Sequence, residues 1–165
     1  MPGHLTFQQW VPYSVERVFE FFSNPQNLPR IMPPASATRL IAVNRVPPPG
    51  FGTDKTAGVG TTIVTSFRVF PFLPFRAQWI ARISEFEWNH HFADVQEKGP
   101  FKRWHHRHEL TAEIKNGVHG TCVTDVVDYD VGFGLLGDIA NTLFVHHQIA
   151  RTFAIRQRIL PGLLS

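Results

Sequence analysis

The chain has 165 residues, of which 43% are hydrophobic and 15 are phenylalanine, enough to fill the core of one domain spanning 1–165 but thin for two. Its formal charge of +3 is dispersed, apart from Lys102 to Arg107 and the C-terminal segment, so no nucleic-acid footprint and no nucleic-acid partner are expected. The lone Cys122 excludes an intrachain disulfide, no apolar run is long enough for an integral membrane segment, and the opening MPGHLTFQQW lacks a secretory pattern, so a cytoplasmic protein is expected.

Leu5 to Val11 alternates as a first strand. Ser14 then caps a helix with Val15, Val18, Phe19 and Phe22 on its apolar side, ended by Ser23-Asn24-Pro25. A second short helix over Pro25 to Ile31 and a strand over Thr38 to Val46 follow, and the stiff loop Pro47 to Gly52 suits the lip of a pocket.

Strand follows strand from there: Thr61 to Val69, Ala77 to Phe86, Asn89 to Glu97, Phe101 to Ile114 and Gly120 to Val131. The apolar turn Pro71 to Phe75 separates the first two, and Asn116-Gly117 marks a tight hairpin between the last two. Leu135 to Leu160 has helical spacing, with Leu136, Ile139, Leu143, Ala150 and Phe153 as its apolar stripe. The fold class is therefore α+β: a long C-terminal helix lies over an antiparallel sheet, and strong curvature of the sheet would leave a cavity between them.

This order resembles the helix-grip fold of the START and Bet v 1 superfamily, most closely the bacterial SRPBCC proteins that include polyketide cyclases and quinone-binding START-like proteins. The resemblance covers Leu5 to Leu160. It is carried by Val15 to Phe22 running into Asn24-Pro25-Gln26-Asn27-Leu28, by Gly99-Pro100-Phe101 with Trp104 to His108, by Asp125 to Tyr129, and by Gly132 to Gly137 before the long helix. Some members of this group are joined to sugar-nucleotide epimerase-like domains, but no dinucleotide glycine fingerprint occurs here. The resemblance implies a curved antiparallel sheet wrapped around the long helix, two short N-terminal helices, and a small hydrophobic or amphipathic ligand that is lipid-, quinone- or aromatic polyketide-like.

If Leu110 and Ala112 face the core, a period of two turns Trp104, His106 and His108 inward as well. On the partner strand Asp125 shares a side with Val123, Val127, Tyr129 and Val131, so it can meet His106 or His108, with Tyr129 nearby. Such a group can be a self-satisfied structural network, can orient a ligand, or can act as acid and base. Phe67, Trp79, Phe92, Trp104, Phe144 and Phe153 are candidate ligand contacts that can equally be plain core. On the helix, His146 or His147 can approach the pocket; His147 joins the candidate set. The imidazoles and Asp125 suit zinc only if strands and helix converge, and no metal or other cofactor is expected. His90 and His91 sit at a turn or strand start and read as exposed, and Arg68 and Arg82 read as outward-facing.

Noncovalent ligand binding is the expected role, rather than catalysis. A cyclase, dehydratase or hydrolase using the same pocket is one alternative. The other is a protein- or membrane-interaction module built on the Pro/Phe turns near Val46 to Phe51 and Phe70 to Phe75. Monomer and homodimer are both open.

Overall fold

A computed structural model describes residues 2–50, 54–68, 75–135 and 141–165. Its elements are β1 (Gly3–Val11), α1 (Val15–Ser23), a 3-10 turn (Pro25–Asn27), α2 (Leu28–Ile31), a second 3-10 turn (Pro34–Ser36), β2 (Arg39–Asn44) and β3 (Thr62–Arg68). They continue with β4 (Arg76–Glu87), β5 (His91–Lys98), β6 (Arg103–Lys115), β7 (Val118–Asp130), a π-helical turn (Asn141–Val145) and α3 (His146–Leu164).

Local chemistry sets the boundaries. The Arg17 amide donates to Ser14 Oγ at 3.4 Å, and Glu16 adds negative charge to the first turn of α1. Asn24 then accepts from the Gln26 amide and Pro25 starts the 3-10 turn, so α1 cannot run on. Asn116 (φ 51°) and Gly117 (φ 78°) both adopt the left-handed conformation that a two-residue hairpin turn requires between β6 and β7.

The seven strands of the described residues join one antiparallel sheet in the order β1-β7-β6-β5-β4-β3-β2. β6 and β7 stay in unbroken register from Arg103↔Asp130 to Lys115↔Val118. Register shifts interrupt β2 between Leu40 and Ala42, and the β4–β5 pairing at Ile80/Ala81 and Ile83/Glu85. Such bulges bend and twist a sheet, and here they accompany the curvature that wraps it around α3. This is the helix-grip architecture.

The buried side of α3 carries Ile149, Phe153, Arg156, Leu160 and Leu164. One core cluster joins Val18, Phe19, Phe21, Phe92, Leu110, Val123, Leu160 and Leu164. A second joins Val127, Tyr129, Ile149 and Phe153, with Phe7, Phe101 and Trp104 packed against it.

Several expectations are corrected. The C-terminal helix does not stop at Leu160: it continues through Pro161 to Leu164. Leu143 leaves the predicted stripe and is 74% exposed, because the π-helical turn inserts an extra residue and shifts the phase ahead of α3. Leu136 and Ile139, like the Pro71-Phe72-Leu73-Pro74 turn and Phe51-Gly52, lie outside the described residues. Ala112 is exposed rather than core, since inward burial on β6 ends at Leu110. The described part of the proline loop, Pro47 to Gly50, does not line the cavity between sheet and helices; Trp88 Nε1 donates to the Pro49 carbonyl, and Gly58 lies against the Pro48 backbone. His91 opens β5, at the strand start that is one of its two expected positions, but it is not exposed: its ring is mostly covered beside Glu85 and Glu87.

Candidate functional site

A cavity of about 600 Å³ lies between the sheet and the helices. Phe67 on β3, Trp79, Ala81 and Ile83 on β4, and Phe92 on β5 line the sheet wall, and all follow the period-two rule. Ile149, Phe153 and Arg156 come from α3, while Phe21, Phe22, Pro25, Leu28, Ile31 and Met32 close the side formed by α1 and α2. Aromatic edges fix the wall: Trp79 meets Trp104 edge-on at 5.1 Å, and Phe7 stacks behind Phe153 at 4.4 Å.

A strongly polar part of the sheet wall comes from register. Asp94 pairs with His106 across β5–β6, and His108 pairs with Asp125 across β6–β7. His106 Nε2 donates to Asp125 Oδ1 at 3.1 Å, and its Nδ1 lies 3.5 Å from Asp94 Oδ1. His108 Nδ1 sits 2.6 Å from the same Asp125 oxygen, off the line of a regular hydrogen bond. The two rings lie 4.0 Å apart, each only 4% exposed, with His108 stacked on Phe92 and His106 edge-on to Phe153.

Burial would favour neutral imidazoles and a protonated carboxyl, but the group divides its charge unevenly. For Asp125, burial is opposed by the two adjoining imidazoles, which hold the carboxyl below its ordinary range. For His106, burial is likewise outweighed, here by Asp125 and Asp94, so its pKa is raised. His108 gains less from Asp125 than burial and the neighbouring His106 take away, and falls to about 4. The result is an ionised carboxylate, one imidazole inclined to carry charge, and one kept neutral.

Of the residues singled out in the sequence, Phe67, Trp79, Phe92, Trp104, His106, His108, Phe144 and Phe153 line the cavity. Three do not. Asp125 stands behind the imidazoles. Tyr129 is buried, with Phe101 and Trp104 packed against its ring at 5.7 and 6.3 Å. His147 and its neighbour His146 are exposed, because α3 turns the face of Ile149 and Phe153 inward. Arg82 faces outward to Glu97 as expected, whereas Arg68 reaches the cavity rim.

Sequence reasoning missed Asp94 and Arg156. Asp94 was within reach of the same alternation, two residues beyond Phe92 on one strand. Arg156 follows Phe153 by three residues, on the stripe that continues to Leu160. It is 8% exposed, and among the described residues it forms no hydrogen bond or ion pair; its Nε is buried without a partner and its guanidinium lies 4.8 Å over the Phe153 ring.

The fold and its lined cavity define a helix-grip protein. The comparisons agree. Residues 11–156 match the model of the family described as polyketide cyclase / dehydrase and lipid transport, and the chain belongs to that family. No curated protein sequence matches the chain. Among solved structures, TTHA0849 from Thermus thermophilus superposes with a TM-score of 0.68 at 13% identity, over 98% of this chain and 97% of its own. Major latex-like protein 151 from Panax ginseng gives 0.61 at 13%, over 98% and 96%. A Thalictrum norcoclaurine synthase point mutant in complex with a transition-state analogue gives 0.60 at 16%, over 98% and 96%. These likenesses carry the fold.

Proposed function

We propose that this protein binds a small amphipathic molecule, with an apolar body enclosed between sheet and helix and a polar end turned toward His106, His108 and Arg156. The observation that carries the reading is the cavity of about 600 Å³, walled by Phe and Trp side chains yet holding two buried imidazoles and a buried guanidinium. A volume of this size suits a drug-sized ligand, for which apolar area supplies most of the affinity and a few polar groups set orientation. The family description, which couples polyketide chemistry with lipid transport, supports the same ligand classes.

Arg156 narrows the polar end. A buried cation without a carboxylate partner is costly, and a guanidinium fork matches a carboxylate or phosphate. The ligand therefore carries an acidic group, as in a fatty acid or an aromatic acid.

The test is native mass spectrometry of freshly purified protein, with denaturing extraction, on the wild type and on Ala81→Phe. Ala81 lines the sheet wall, and a phenylalanine there fills the chamber. The expected result is a stoichiometric small-molecule adduct that is released on denaturation and missing from the variant. Repeated gentle preparations without an adduct, or an adduct retained by Ala81→Phe, would overturn the reading.

A further inference from the structure

We propose that Asp94, His106 and His108 form a binding site for a divalent first-row transition metal ion, with Asp125 fixing both imidazoles from behind. One ligating atom from each of the three side chains lies within 4.8 Å of the other two. Donors around a tetrahedral ion with bonds of about 2.0–2.1 Å stand roughly 3.3 Å apart, so small side-chain rotations close the set.

The orientation of the rings carries the argument. Asp125 Oδ1 faces His106 Nε2 at 3.1 Å and His108 Nδ1 at 2.6 Å, so both imidazoles turn one nitrogen back to the same carboxylate. The nitrogens left to face an ion are then His106 Nδ1 and His108 Nε2, and any proton that His106 Nδ1 carries is released when the ion takes its place. His106 Nδ1 is the nitrogen beside Asp94, at 3.5 Å. His108 Nε2 has no hydrogen bond among the described residues, and its ring lines the cavity. A carboxylate that orients metal-binding histidines through their far nitrogens is the common outer support of such sites, and one carboxylate here serves both rings.

Placement supports the same reading. All three donors line the chamber, and they come from adjacent strands in fixed register rather than from loops. Two imidazoles and one carboxylate on one side of an ion leave positions open toward the apolar space, the donor set associated with iron(II), zinc and related ions rather than calcium or magnesium. An oxygen donor at the polar end of a bound molecule completes the shell.

A second grouping, Glu87, His90 and His91, sits outside the cavity at the β4–β5 turn and provides an internal competitor for the test. Chelator-stripped protein is titrated with Zn²⁺ by calorimetry and with Co²⁺ by visible absorption, using the wild type, Asp94→Asn, His108→Gln, Asp125→Asn and His90→Asn. The expected result is one ion per chain with a Co²⁺ ligand-field band. Asp94→Asn and His108→Gln weaken binding by at least about tenfold, Asp125→Asn does so by about 10–100-fold, and His90→Asn binds as the wild type. Circular dichroism of metal-free Asp94→Asn matches the wild type, which separates lost ligation from lost folding. No binding by the wild type, unchanged binding by Asp94→Asn, or loss of the ion in His90→Asn instead would overturn the proposal.

Discussion

Gln9 donates its side-chain amide to the main-chain carbonyl of Gln157 at 2.7 Å, and that carbonyl is the one a residue at position 161 would bond if it were not proline. Pro161 lacks the amide hydrogen, so β1 supplies from outside the bond that α3 cannot make for itself. The exchange is mutual, since Gln157 Nε2 donates to a carbonyl of the same strand, that of Gln8, at 3.1 Å. This is why the helix passes through a proline rather than ending before it.

Replacing Gln9 with leucine keeps the bulk and removes the donor. The Gln157 carbonyl is then left unpaired in a part-buried position, with an expected loss of about 1–3 kcal/mol. Urea denaturation followed by circular dichroism measures it. A second expectation separates this from a general core defect: amide hydrogen exchange rises in the last turn of α3, up to Leu164, before it rises in β6.

Two glycines of opposite character provide a paired test. At Gly120 an added Cβ would stand 2.4 Å from the Val11 carbonyl oxygen and 2.5 Å from the Trp10 ring, so Gly120→Ala forces backbone apart at the end of the β1–β7 pairing. At Gly162, inside α3, nothing lies within 4 Å of the added atom, and Gly162→Ala gains helix propensity of about 0.5–1 kcal/mol. Thermal unfolding should lower the midpoint of the first and raise that of the second.

Arg156→Leu should trade function against stability. Leucine continues the apolar stripe from Phe153 to Leu160 and relieves a buried guanidinium, so the protein becomes more stable by about 1 kcal/mol or more. Binding of 8-anilinonaphthalene-1-sulfonate, an apolar body with one anionic group, weakens by about 10–100-fold, the worth of a hydrogen bond to a charged group. Fluorescence titration and chemical denaturation of the same variant read the two effects.

The four tryptophans are divided between the cavity and elsewhere: Trp79 and Trp104 line it, and Trp10 and Trp88 do not. The shift in tryptophan emission on binding a saturating, non-absorbing fatty acid should therefore survive Trp88→Phe and shrink in Trp79→Phe and in Trp104→Phe. Emission spectra of each variant with and without the acid measure it.

The inward face of β6 was legible because alternation runs unbroken from Trp104 to Leu110 and the β7 register contains no bulge to reverse it. The same rule failed at Ala112, where the strand outruns the elements that cover it. Helical periodicity misplaced Leu143 because a π-helical turn leaves no signature in hydrophobic spacing. Asp94 and Arg156 went unread for a different reason: a charged side chain on an apolar face is ordinarily assigned to solvent, and only the assembled wall shows where it points. His146 and His147 drew attention by composition alone, which carries no information about which side of a helix meets the sheet.

The order of the sheet bears on how the chain reaches this state. β6 and β7 are joined by two residues, whereas β1 meets β7 only by bringing Gly3 to Tyr129 across most of the sequence. Loop closure is least demanding at the hairpin and most demanding at that seam. The strand pair bearing His106, His108 and Asp125 thus needs the least chain entropy to form, while the enclosing of the chamber depends on the most distant pairing in the sheet. Mutations that weaken the β1–β7 seam should slow folding or open the chamber while leaving the polar hairpin able to form.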